Sequence, residues 1–105
     1  MKPVHYRQGD VLLVQVDVIP KTAAKKDNII ARGETTGHCH QFFDAAAVVV
    51  SFDAATDQQF VHVSGQRPAD LVHEEHNTIH VQPGKYAVRV QREYTMLDDV
   101  RQVAD

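Results

Sequence analysis

The stretch DVLLVQVDVIP, residues 10–20, decides the fold. Val14, Val16 and Val18 alternate with Gln15 and Asp17, the period of two that a half-buried strand shows, and Pro20 ends the run. Working outward, strand signals recur at short intervals and helix signals are scarce. Residues 21–28, KTAAKKDN, read as a loop. Ile29 to Glu34 and His38 to Phe43 are short strands, and AVVVSF at 47–52 is β-branched and short, as a buried strand should be. DAATDQ then turns the chain into FVHVS at 60–64. LVHEEHNTIHV at 71–81 reads as extended. It precedes QPGK and YAVRVQREY, where a Pro-Gly pair between two alternating segments signals a hairpin. In the last ten residues, Leu97, Val100 and Val103 or Ala104 share one side of a possible short helix. About seven strands with no helix between them predict an all-β protein, a single small barrel or sandwich, in one domain spanning 1–105.

Size and composition agree. At 105 residues, folding removes roughly 65% of the unfolded chain's surface from water, enough for one core. A formal net charge of −3 argues against a nucleic-acid footprint, and the basic group Lys21, Lys25 and Lys26 falls in a solvated loop. The longest apolar run, AAAVVV at 45–50, is too short to span a bilayer. A single cysteine forms no internal disulfide, and no secretory signal is visible, so the expectation is a cytoplasmic protein. Exposed edge strands in so small a β-domain are often covered by a second copy, which makes a homodimer an expectation as well.

Seven histidines in one short chain direct attention to the sequence's two clusters, TGHCHQFFD at 36–44 and HEEH at 73–76. On a strand His38 and His40 share a face about 6.6 Å apart and can converge on one metal ion; the alternative is a polar pair. Phe42 shares their face, which points it inward. Cys39 points the other way, as a small buried residue. In a strand context His73 and His76 face opposite ways, so one of them joins His38 and His40. Glu74 and Glu75 are the candidate catalytic proton carriers near a metal-bound water, or a solvated loop edge. His62 and His80, each between apolar neighbours, face outward. Arg92 shares a strand face with Val88 and Val90, where it meets an anionic ligand or a neighbouring carboxylate.

These residues resemble the cupin superfamily, small β-barrels with a first motif G-x5-H-x-H-x3,4-E-x6-G and a second P-x-G-x2-H-x3-N. Gly33, His38, His40 and Asp44 stand for the first motif here, with Asp44 in place of Glu and Ser51 in place of the last Gly. Pro68, Asp70, His73 and Asn77 stand for the second, with Asp70 in place of Gly. The resemblance implies a metal held by His38, His40, His73 and possibly Asp44 inside the barrel. For Asp44 to reach the same ion, the chain must reverse between residues 40 and 44. More of the chain, GETTGHCH, HEEH, PGKY and QREY, is similar to a group of small bacterial and phage proteins without an assigned activity. GDVLLV near the start is similar to strands of signal-peptidase-like folds, but no matching serine and lysine pair accompanies it.

The expected function is therefore binding of a divalent transition metal, Zn, Fe, Mn or Ni, by His38 and His40 with His73 or His76. Such a site belongs to a cupin-like protein that acts as a small metalloenzyme on a small molecule. The alternative is a module without chemistry whose histidines line a small-molecule pocket or a protein interface, or respond to pH.

Overall fold

A computed structural model describes residues 5–32, 37–44 and 47–90. The proposed helix at the C-terminus, Arg92 and Gly33 lie outside these residues. Among the described residues there is no helix, and ten strands form two antiparallel sheets. The strands are β1 (His5–Gln8), β2 (Val11–Val16), β3 (Ala24–Lys25), β4 (Ile29–Arg32), β5 (Cys39–Phe42), β6 (Val48–Asp53), β7 (Gln58–Val63), β8 (Ala69–Val72), β9 (Ile79–Val81) and β10 (Gly84–Val90). One sheet has the order β1-β2-β10-β7-β6-β3, and the other β4-β5-β8-β9. The sheets do not join into a closed barrel among the described residues. Of the two architectures expected, the sandwich fits.

The apolar alternation explains how the layers meet. From the six-stranded sheet Val11, Leu13, Val48, Val50, Val61, Val63, Tyr86 and Val88 enter the core; from the other come Ile30, Phe42, Ala69, Leu71 and Val81. Facing inner surfaces of two sheets interdigitate in this way, and the polar residues between them turn outward. In β2 the buried face is Val11 and Leu13, whereas Val14 and Val16 are half-buried and Val18 is exposed. The expected alternation at Val14, Val16 and Val18 is therefore corrected: burial alternates at Val11 and Leu13, residues 14–16 are all half-buried, and the strand ends at Val16, before Val18.

Three strands exceed the expected seven. β1 pairs with β2 from Gln8 opposite Val11, which leaves Gly9 and Asp10 as a two-residue hairpin loop. Gly9 has φ +59, the left-handed value that a turn with glycine at its first central position needs. β3 is a two-residue edge strand on β6 within the segment read as a loop. The stretch 71–81 is two paired strands, β8 and β9, and not one.

The Pro-Gly signal is also corrected. β9 pairs with β8 while β10 pairs with β2 and β7, so residues 82–83 carry the chain from one sheet to the other and close no hairpin. Two tyrosines hold this crossing. The Tyr86 hydroxyl donates to Gln82 O at 2.7 Å, and Gln82 N–H donates to the Tyr6 hydroxyl at 3.1 Å. Burial, followed by the neighbouring Tyr6, pushes the Tyr86 pKa up to about 12, so the hydroxyl keeps the proton it donates.

Candidate metal centre

His40 enters the site from β5, between β4 and β8, and is buried with Phe42 two residues on. The inward-facing strand face was legible in the sequence. What surrounds the ring was not. His40 Nδ1 lies 2.9 Å from Gln8 Oε1, and the Gln8 amide nitrogen donates to Leu71 O at 2.8 Å and to Asn77 O at 2.9 Å. Two carbonyls require the amide's NH2 end, so its oxygen must face the imidazole and can only accept. The proton of neutral His40 therefore sits on Nδ1, and Nε2 presents a bare lone pair. Burial, then the neighbouring His73, lowers the His40 pKa to about 4, so the ring is neutral at neutral pH. Nε2 lies 3.4 Å from Asp10 Oδ1 on the β1–β2 turn.

His73 and His76 come from a loop, residues 73–78, joining β8 to β9. The expected strand would have separated them; the loop brings both to His40. Gln8 draws the loop's two ends together by binding Leu71 O and Asn77 O, which removes the strand's alternation. Ring centres of His40 and His73 are 4.2 Å apart, of His73 and His76 4.5 Å, and of His40 and His76 5.8 Å. His38 stands just outside β5, with its ring centre 5.9 Å from that of His73 and its Nδ1 3.2 Å from Glu75 Oε2. The chain thus assembles four imidazoles from two segments more than thirty residues apart in the sequence.

Both glutamates fasten the loop. Glu74 Oε1 accepts the Cys39 N–H at 2.9 Å, and that hydrogen bond is the main reason its pKa lies below the usual carboxylate value. The Glu75 N–H donates to His73 Nδ1 at 3.0 Å. His73 Nδ1 accepts there, so the proton of neutral His73 is on Nε2. Burial, then His76, lowers the His73 pKa as well. Cys39 is buried, with Sγ 3.4 Å from Gly37 O.

The other residues of the cupin pattern lie elsewhere. Asp44 is past the far end of β5, in a shallow hollow with Phe43, Pro68 and Val72. Asp70 pairs with His80 Nδ1 at 2.7 Å on the exposed face of β8 and β9. Asn77 contributes its backbone carbonyl to Gln8. His62 is half-buried and His5 exposed.

Among the described residues, no three side chains of His, Cys, Asp or Glu are arranged, as they stand, to hold a metal ion. With metal–nitrogen bonds of about 2.0–2.1 Å, two imidazoles on one tetrahedral ion have centres roughly 5 Å apart. The 4.2 and 4.5 Å separations of His73 from its neighbours, in tilted ring pairs, are shorter than that, and His73 must turn to join. His40 fits a ligand in another respect: a metal-bound histidine typically has its second nitrogen fixed by an acceptor, as Gln8 fixes this one.

Sequence reasoning missed Gln8 and Asp10. The signal was present, because Gly-Asp between two extended runs, HYRQ and VLLVQV, is a two-residue hairpin loop. A family model described as a domain of unknown function (DUF8820) matches residues 7–91. The chain belongs to that family. The DUF8820 match takes in the whole cluster, from Gln8 and Asp10 to the 73–78 loop. No curated protein and no solved structure matches the chain. No helix among the described residues is long and apolar enough to cross a membrane.

Proposed function

We propose that this DUF8820 protein binds one divalent transition metal ion at the imidazole cluster, with His40 as anchor and His76 and His73 as further ligands. The observation that carries this reading is the His40 ring, buried beside two other imidazoles with its Nδ1 committed to Gln8, which leaves Nε2 as the nitrogen available to a ligand. A nitrogen-rich, thiolate-free donor set suits Zn, Fe, Mn or Ni. His38 stands beside the cluster, with Nδ1 3.2 Å from Glu75 Oε2. On this reading the likeness to cupins extends to the kind of ligand and excludes Asp44. An ion held with a position open would polarise a substrate oxygen or lower the pKa of a bound water, which is the chemistry of a small metalloenzyme.

The test is elemental analysis of untagged protein dialysed against micromolar Zn, Mn, Ni or, without oxygen, Fe(II). We expect about one ion per wild-type chain, none in His40→Ala, and weakened binding in His76→Ala and His73→Ala. Wild-type protein that emerges free of all four metals overturns the proposal.

A further inference from the structure

We propose that the hollow between β4 and the inner face of β6 and β7 binds a small planar heteroaromatic acid that carries a ring N–H. The inference is independent of the metal reading, because it uses no residue of the imidazole cluster.

The hollow lies where the two sheets stop covering each other. β4 is an edge strand of the four-stranded sheet, and β3, two residues long, is an edge of the other. Along β6, Val48, Val50 and Phe52 alternate onto the inner face. Val48 and Val50 are buried, yet Phe52 is 37% exposed. The core thus ends before Phe52, which borders a hollow of about 340 Å³ lined also by Lys26, Ile29, Ile30, Arg32 and Gln59. That volume is at the small end of the range for ligand pockets, about 300–1,000 Å³. An aromatic side chain left at the mouth of a core offers a surface to a flat apolar ligand.

Gln59 supplies the second feature. It stands opposite Phe52 in the strand register, on the inner face with Val61 and Val63. Its amide nitrogen donates to Ile30 O at 2.8 Å. Its Oε1 is buried, and among the described residues it accepts no hydrogen bond. The nitrogen's contact fixes which way round the amide lies, so the unmatched atom is an oxygen that can only accept. Buried polar atoms in folded proteins almost always have a partner. A ligand N–H brought in beside Phe52 provides one.

Charge supplies the third. Three charged residues line the hollow, Lys26, Asp27 and Arg32. Lys26 Nζ lies 3.0 Å from Asp27 Oδ1 and also donates to Ile29 O, so two cations less one carboxylate leave one positive charge. Arg32, at the exposed end of β4, carries a planar fork of donors suited to a carboxylate. A monoanion therefore balances the site. The carbonyls of Ile29 and Ile30 are already bound by Lys26 and Gln59, which blunts this edge against pairing with a further strand. A compact ligand fits here where an extended peptide does not.

The test is a titration of the 15N-labelled full chain at pH 7, followed by NMR, with indoleacetate, its ring N-methyl analogue and its uncharged amide. We expect indoleacetate to give saturable shifts at residues 29–32, 52 and 59, the Gln59 side-chain amide included, with a Kd of about 1 mM. The N-methyl analogue should bind about 5-fold more weakly, the loss of one hydrogen bond, and the amide about threefold, the worth of an exposed charge pair. In Gln59→Met the acid and its N-methyl analogue should bind alike. Arg32→Gln should lose the preference for acid over amide, and Phe52→Ala should weaken all three ligands. Phe52 and Arg32 are exposed, so their variants keep the test decisive if Gln59→Met does not fold. Shifts that fail to saturate by about 10 mM, shifts confined to other residues, or an N-methyl analogue that binds as tightly as its parent would overturn the proposal.

Discussion

Two histidine–aspartate pairs involve the same four-stranded sheet, and they differ in every property that matters for chemistry. His80 and Asp70 are cross-strand neighbours on β9 and β8, 2.7 Å apart, with side chains 68% and 57% exposed. His40 and Asp10 are 3.4 Å apart, join β5 to a turn of the other sheet, and lie at the edge of the core. The first distance has room for one shared proton. The second is too long for a strong charged hydrogen bond, and the proton that would fill it has been given to Gln8. A short, exposed pair of this kind is an ordinary surface contact worth at most about 1 kcal/mol. In the second pair only the His40 side chain is buried, and Asp10 remains 27% exposed.

The comparison breaks most readily at His40. His40→Ala should abolish metal binding and, in metal-free protein, lower the unfolding free energy by about 2–4 kcal/mol, because Gln8 Oε1 loses its partner and a cavity opens beside Phe42. Denaturant titration reads the loss. A decrease under 0.5 kcal/mol would mean that the ring is not held as described.

Acid sharpens the same contrast. The folded His40 pKa is near 4 and that of an unfolded histidine about 6.5. Above pH 6.5 neither state carries the proton. Between 6.5 and 4 the unfolded chain binds a proton that the folded ring refuses, so stability falls as the pH drops, by as much as about 3 kcal/mol at pH 4. Below that this contribution is level. Metal-free wild type should show the slope in chemical denaturation between pH 6.5 and 4, and His40→Gln should show less of it. Equal slopes would place the His40 proton elsewhere.

Gln8 comes next. Gln8→Ala leaves Leu71 O and Asn77 O without their donor and frees the His40 ring, which should cost about 2 kcal/mol and 10–100-fold in Zn(II) affinity. The smallest effect belongs to the exposed pair. Asp70→Asn should change stability by less than about 1 kcal/mol and leave metal binding untouched; a loss of metal there would erase the distinction between the two pairs.

How much of this the sequence disclosed follows from the range of each interaction. Alternation along residues 47–52 and 60–64 is local, and β6 and β7 lie where it places them. The buried face of β5 was legible from Phe42 beside His40. The partners of β9 and β10 were not, because a Pro-Gly turn has the same residues whether it closes a hairpin or crosses between sheets. Nor was the conformation of HEEH. Its surroundings read as a strand, and the loop is imposed by Gln8, more than sixty residues earlier in the chain, and by Glu74 reaching back to Cys39. His73 and His76 therefore both approach His40, where a strand would have brought one. The approach of Asp10 to His40 was hidden for a different reason: it depends on the β1–β2 turn of one sheet meeting β5 of the other.

The most direct measurement is long-range 1H–15N correlation NMR of histidine-labelled protein at pH 7, before and after one equivalent of Zn(II). The account predicts that metal-free His40 is the neutral Nδ1–H form, with an unprotonated Nε2 whose resonance moves on adding zinc while that of His80 does not. A His40 found as the doubly protonated imidazolium, or an Nε2 resonance that ignores zinc, would contradict it.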